Sequence, residues 1–245
     1  MRNDGRADTE LRKIKITRDF IKYAEGSCLF EAGNTKVVCT ASVEDSVPQF
    51  LRGRGKGWIT AEYGMLPRSC KTRVSREATK GKQGGRTLEI QRIIGRCMRA
   101  VCDMTALGER TVWMDCDVIQ ADGGTRCAGV NGAFIALILA LEKLRKDGLI
   151  DKIPVSRYVA AVSVGIVGGR EMLDLAYDED SSAEVDMNLA MTDNGAFIEI
   201  QGTAEGRPFS AKERDKMMSL AQKGIRDIVR KQKKILGKLI SDEKE

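Results

Sequence analysis

Residues 125–145 carry apolar side chains on most sides of a helix, and Gly148 stops it. A helix that is hydrophobic nearly all round has no face to give to water, so other elements must enclose it. Whatever this chain folds into is built around that segment. A strand expected at residues 111–121 feeds it through Asp122-Gly123-Gly124.

The elements available to enclose it come from periodicity. Residues 11–18 alternate, with Leu11, Lys13 and Lys15 against Arg12, Ile14 and Ile16; residues 35–43, after the Gly33-Asn34 turn, and 58–63 are further strands. Over residues 87–103 the positions Ile90, Ile93, Ile94, Cys97, Met98 and Val101 recur at helical spacing, leaving Arg92, Arg96 and Arg99 on another face. Residues 158–167 and 172–177 read as strands around Gly168-Gly169. Residues 185–191 and 196–201 form a hairpin turned at Asn194-Gly195 and carrying Asp186, and residues 211–240 close the chain as a long basic amphipathic helix. Strands, helix, strands and helix in that order predict an α+β fold, mixed sheets packed with helices, rather than a doubly wound sheet. With 245 residues, 42% of them hydrophobic, and no repeat or clear linker, one domain spanning residues 1–245 is expected.

Composition restricts the chemistry. There is no histidine, which excludes Ser-His-Asp and Cys-His catalysis, His-ligated metals and an imidazole base. Seven cysteines make an odd count without a CxxC pair; Cys39, Cys97, Cys102, Cys116 and Cys127 lie in apolar segments as small core residues, which disfavours disulfides and structural zinc. No stretch approaches the run of about 18 apolar residues that spans a membrane, and the charged N-terminus precedes no signal-peptide core, so a soluble cytoplasmic protein is expected. The net charge of +6 is concentrated, because residues 52–86 hold ten Lys or Arg against Glu62 and Glu77. Such a segment, interleaved with glycines, suits a nucleic acid and a subunit partner equally.

Three segments carry possible chemistry. Asp122-Gly123-Gly124-Thr125-Arg126 places glycines, a hydroxyl and an arginine fork at a helix start, where free N–H groups and the helix dipole attract anions. An ordinary glycine turn with Thr125 as cap satisfies the same pattern. Gly81-Lys82-Gln83-Gly84-Gly85-Arg86 is a second glycine-rich, arginine-ended helix start, and the pair look like two sides of one anion pocket; neither has Walker spacing, which disfavours ATP or GTP. In the acidic run from Asp174 to Asp186, Asp178, Glu179 and Glu184 are expected to be solvated. Asp180 in the loop and Asp186 on the polar side of its strand could instead converge on Mg²⁺ or Mn²⁺.

Taken together, the segment Gly57 to Ser69, the Gly85 to Arg96 helix, the turn at Asp122 to Arg126, the acids through Asp186-Met187-Asn188 and Gln201-Gly202-Thr203-Ala204-Glu205-Gly206 resemble the ribonuclease PH family across essentially the whole chain. The resemblance implies a ribonuclease PH-type fold related to domain 2 of ribosomal protein S5, assembled as a homo-hexameric ring of three dimers. It further implies a phosphate-dependent 3′→5′ exoribonuclease acting on RNA, chiefly precursor tRNA 3′ ends. Arg86, Gly124, Thr125 and Arg126 would hold inorganic phosphate, and Asp180 and Asp186 the divalent cation. Arg68, Arg73 and Arg76, with Arg92, Arg96 and Arg99, are expected in RNA binding or ring assembly. The chain departs from the family pattern at Asn3, Cys127, Gly129 and Asn131. Two rival readings are a non-catalytic RNA-binding ring subunit of an exosome-type complex and an S5-like RNA-binding module.

Overall fold

The computed structural model of the chain describes residues 2–240; the remaining ends of the expected 1–245 unit lie outside the described residues. A five-stranded sheet is formed by β1 (Ile14–Arg18), β2 (Gly26–Ala32), β3 (Thr35–Glu44), β4 (Trp58–Met65) and β5 (Thr111–Gln120), in the order β1-β2-β3-β5-β4. Strands β4 and β5 run parallel and the other neighbours antiparallel. A second sheet, antiparallel throughout, comprises β6 (Val159–Val167), β7 (Arg170–Leu173), β8 (Val185–Thr192) and β9 (Phe197–Ala204) in the order β7-β6-β8-β9. The helices are α1 (Gly85–Val101), the short α2 (Met104–Leu107), α3 (Thr125–Lys146), the single-turn α4 (Tyr177–Asp180) and α5 (Ala211–Leu236).

The mostly apolar segment is α3, and it lies between the two sheets, touching β2, β3 and β5 on one side and β6 and β8 on the other. Phe134, Ile135, Leu137, Ile138 and Leu141 are fully enclosed there. By length and composition α3 could cross a membrane, but 89% of that stretch is buried inside the fold. Helix α1 packs beside α3 and against β4, burying Ile90, Ile93, Ile94, Cys97, Met98 and Val101, the face its spacing predicts. Helix α5 covers β6, β7 and β8, so β6 is enclosed on both faces. In β3, by contrast, Val37, Cys39 and Ala41 are buried while Lys36, Val38 and Thr40 are half-exposed, which leaves one face of the first sheet open.

The sheets and helices form the expected α+β arrangement, with local corrections. Strand β2 was not foreseen; it pairs with β3 across the Gly33-Asn34 turn. The strand expected at 172–177 ends at Leu173, because Asp174 takes a left-handed backbone (φ 55°) and turns its carboxylate to Arg12. All seven cysteines are free and all but Cys70 are buried.

Candidate active site

The end of β5 and the start of α3 meet in the turn at Asp122–Arg126. Gly124 is the N-cap residue of α3, left-handed (φ 63°), and no side chain caps the helix. The alternative of Thr125 as cap therefore does not hold: Thr125 is the first helical residue, and its Oγ1 accepts a hydrogen bond from the buried Tyr63 hydroxyl at 2.9 Å. Burial pushes the Tyr63 phenol up, which keeps that proton in place. Orphan N–H groups at the positive end of a 22-residue helix are thus open to an anion. The glycines are required, since a Cβ at Gly123 would lie 2.5 Å from the Leu175 carbonyl oxygen and both residues take a left-handed backbone (φ 75° and 63°).

Beneath the turn is a buried arginine that was not assigned a role from sequence. Arg12 donates from Nη2 to Asp174 Oδ1 at 2.6 Å and from Nε to Oδ2 at 3.1 Å, while Nη1 reaches the Asp122 carbonyl at 2.5 Å and the Gly123 carbonyl at 3.4 Å. Thr35 adds a bond from its hydroxyl to the Gly123 carbonyl, 2.7 Å. One ion pair thereby ties the anion turn to the acidic segment. Its signal in the sequence was slight: Arg12 shares the alternating face with Ile14 and Ile16.

Asp180 and Asp186 each lie close enough to Arg86 and Arg126 to feel their charges. Desolvation raises the Asp186 carboxyl, the neighbouring Asp180 charge raises it further, and Arg126, Arg86 and the Asn188 amide oppose the rise. Desolvation also raises Asp180, against Arg86, Arg126 and Arg12, although Asp180 is still solvent-exposed. Asp180 is the last residue of α4 rather than part of a loop. Asp186 lies on β8 and accepts from Asn188 Nδ2 at 3.1 Å; Cys127 in turn donates to Asn188 Oδ1 at 3.3 Å. The departures from the family pattern are accommodated: the Gly129 carbonyl accepts the Cys39 and Cys116 thiols, and Asn131 bonds Ala161 through both its amide groups.

Neither Asp180 nor Asp186 has an ion-pair partner within 4 Å among the described residues, and among those residues no three His, Cys, Asp or Glu are placed so as to hold a metal ion by themselves. Two hard oxygen donors that repel each other fit a Mg²⁺ or Mn²⁺ whose other ligands are water and phosphate oxygens. They do not fit an all-protein cage.

The two arginines differ. Arg126 donates to Gln201 Oε1, and Gln201 Nε2 donates to Glu89 Oε1 at 2.5 Å, so α3, β9 and α1 are tied together through Gln201. Arg86 is exposed and makes no hydrogen bond or ion pair with the described residues. The start of α1 is not an open anion site, since the Glu77 carboxylate already accepts from Gly84 N–H (3.0 Å) and Thr87 Oγ1 (2.8 Å). Of the further arginines, Arg68, Arg73, Arg76 and Arg92 are exposed. Arg96 pairs with Glu199 at 3.6 Å, whereas Arg99 stacks on Trp58 (4.5 Å) and donates to the Ile59 carbonyl, a packing role.

Residues 10–141 match domain 1 of the 3′ exoribonuclease family and residues 157–224 match its domain 2. The chain is 57% identical to Ribonuclease PH of Syntrophomonas wolfei over 236 residues, covering 96% of this chain and 99% of that one. It is also 57% identical to Ribonuclease PH of Bacillus velezensis over 243 residues, 99% of each. The fold is shared with rice Rrp46 (TM-score 0.77, 18% identity, 96% of this chain and 100% of that one) and with the Archaeoglobus fulgidus exosome with RNA bound to the active site (0.77, 22%, 94% and 92%). The chain belongs to the 3′ exoribonuclease family and, within it, to the ribonuclease PH group.

Proposed function

We propose that this chain trims RNA from its 3′ end by phosphorolysis in the cytoplasm, acting chiefly on precursor tRNA within a homo-hexameric ring of three dimers. What supports the chemistry is that Asp180 and Asp186 feel the charges of Arg86 and Arg126, the last of these on the uncapped start of α3. Arg86 and Arg126, with Gly124 and Thr125 at the orphan N–H groups, hold inorganic phosphate. One of its oxygens attacks the last phosphodiester phosphorus, the bond to the penultimate 3′ oxygen breaks, and the terminal nucleotide leaves as a nucleoside diphosphate. Asp180 and Asp186 hold Mg²⁺ or Mn²⁺, which supplies charge stabilisation when bound. Phosphate is itself the nucleophile, so positioning and charge suffice and no histidine is needed. A non-catalytic ring subunit would be expected to lack part of this set, and the chain keeps all four side chains.

Incubation with 3′-extended RNA tests the reading. Shortening with nucleoside diphosphate release is expected only with phosphate and a divalent cation together, and EDTA should abolish it. Monophosphate release in phosphate-free buffer would overturn it.

A further inference from the structure

The acid Asp180 sits on a helix of one turn, Tyr177–Asp180, too short to hold its own shape. Something must hold it, and the structure places a buried arginine from the far end of the chain there. Arg2 grips Glu179, the residue before Asp180, with both ends of its fork: Nε to Oε1 at 2.7 Å and Nη2 to Oε2 at 2.6 Å. The same guanidinium donates to the Leu173 carbonyl at 2.8 Å and the Asp174 carbonyl at 2.9 Å. Its side chain is wholly buried and that of Glu179 is 12% exposed. Glu179 also accepts from Ala176 N–H at 2.9 Å, and Asp180 N–H donates to the Ala176 carbonyl at 2.8 Å, closing the turn.

We infer that Arg2 and Glu179 are positioning residues for Asp180: the N-terminal segment of the chain fixes the acid that the proposed cation site depends on. This rests on Asp180 as a cation ligand, set out above. The reasons are chemical. Burying a charged arginine and a carboxylate is costly for stability alone, and an apolar pair of the same volume would serve a core as well or better. A bidentate fork fixes direction as well as distance. Here it joins the end of β7, the left-handed Asp174 and the turn bearing Asp180 into one body. Glu179, expected to be a solvated acid, is instead the inner member of the acidic run, with Asp178 and Asp180 exposed on either side.

The test is binding of Mn²⁺ alone to the full chain, followed by electron paramagnetic resonance, beside steady-state kinetics with phosphate and RNA. Arg2→Lys keeps the charge but loses the fork; Glu179→Gln keeps the volume but loses the charge. Each should weaken Mn²⁺ binding about tenfold, in the range typical when partners supporting a metal ligand are lost. Each should also raise the Mg²⁺ needed for half-maximal rate, while the phosphate KM changes less than about twofold. Asp180→Asn is the control. If it weakens Mn²⁺ binding but both other variants, shown folded by circular dichroism, bind Mn²⁺ as tightly as the parent, the positioning role is wrong and the cation site stands. If Asp180→Asn binds Mn²⁺ normally, both readings fall. Should Arg2→Lys not fold, Glu179→Gln decides alone.

Discussion

The turn at residues 122–126 and the loop at 68–86 each deliver an arginine to a helix start, but they are built differently. The turn rests on the buried pair of Arg12 and Asp174, both carbonyls ahead of Gly124 are held by that arginine, and Arg126 is tied to Gln201. In the loop every residue from Lys71 to Arg76 is exposed, and Glu77 is spent on closing the loop onto α1. A group that stabilises developing charge is most effective when it is fixed before the reaction. A surface that takes RNA backbone of any sequence gains from adapting to it, and segments that bury little apolar surface are the ones that can. In the proposed site Arg126 is pre-set by Gln201, whereas Arg86 is an exposed, unpaired side chain in the first turn of α1.

The comparison breaks most sharply at Arg12. Arg12→Met strips Asp174 of its closest ion-pair partner and leaves it only Arg6 at 3.7 Å and a backbone N–H, which should cost about 3 kcal/mol in urea denaturation. A loss under about 1 kcal/mol would show that the turn does not depend on it. Next come the acids. Asp180→Asn and Asp186→Asn remove charge at nearly constant volume and should each cost about 3 kcal/mol of barrier, roughly a hundredfold or more in turnover, with the fold intact. Near-parental turnover at saturating Mg²⁺ would assign them to structure. Smaller again are Arg126→Ala and Arg86→Ala. Losing hydrogen bonds to a charged partner, about 1.5–3 kcal/mol, should raise the phosphate KM roughly tenfold or more and the RNA KM much less. Equal weakening for both substrates would contradict a separate phosphate site.

How much of this was legible follows from how local each signal is. Helix α3 was readable almost to the residue because enclosure between two sheets leaves it apolar on most sides. Asp186 was readable on its strand because it breaks an apolar alternation, and the two glycine-rich helix starts because each is a short motif. Strand β2 was missed because Gly26, Ser27 and Glu31 interrupt its pattern, and its pairing comes from β3 rather than from its own residues. Residues 172–177 were over-extended as a strand because Leu173 and Leu175 alternate correctly, while Asp174 between them answers to Arg12, 162 positions away. Arg2 and Glu179 are 177 positions apart, and no periodicity carries such a partnership.

The smallest expected effect on stability tests the other side of the comparison. Arg68, Arg73 and Arg76 are exposed and have no ion-pair partner within 4 Å among the described residues. Replacing all three by alanine should therefore change unfolding stability by no more than about 0.5 kcal/mol per site. Their charge is free for RNA or for a neighbouring subunit, and salt separates the two. For single-stranded RNA, each arginine that no longer neutralises a phosphate should lower the slope of log affinity against log salt by about 0.7, roughly two for three arginines. We expect that fall together with weaker binding of long RNA and a smaller sedimentation coefficient. Trimming of a short oligonucleotide should suffer less, because Arg126, Asp180 and Asp186 lie on α3, α4 and β8, outside the loop. An intact assembly with unchanged salt slope would reduce the loop to a solvated basic surface. A short-oligonucleotide rate that fell as far as in Asp186→Asn would instead join the loop to the catalytic body and erase the division drawn here.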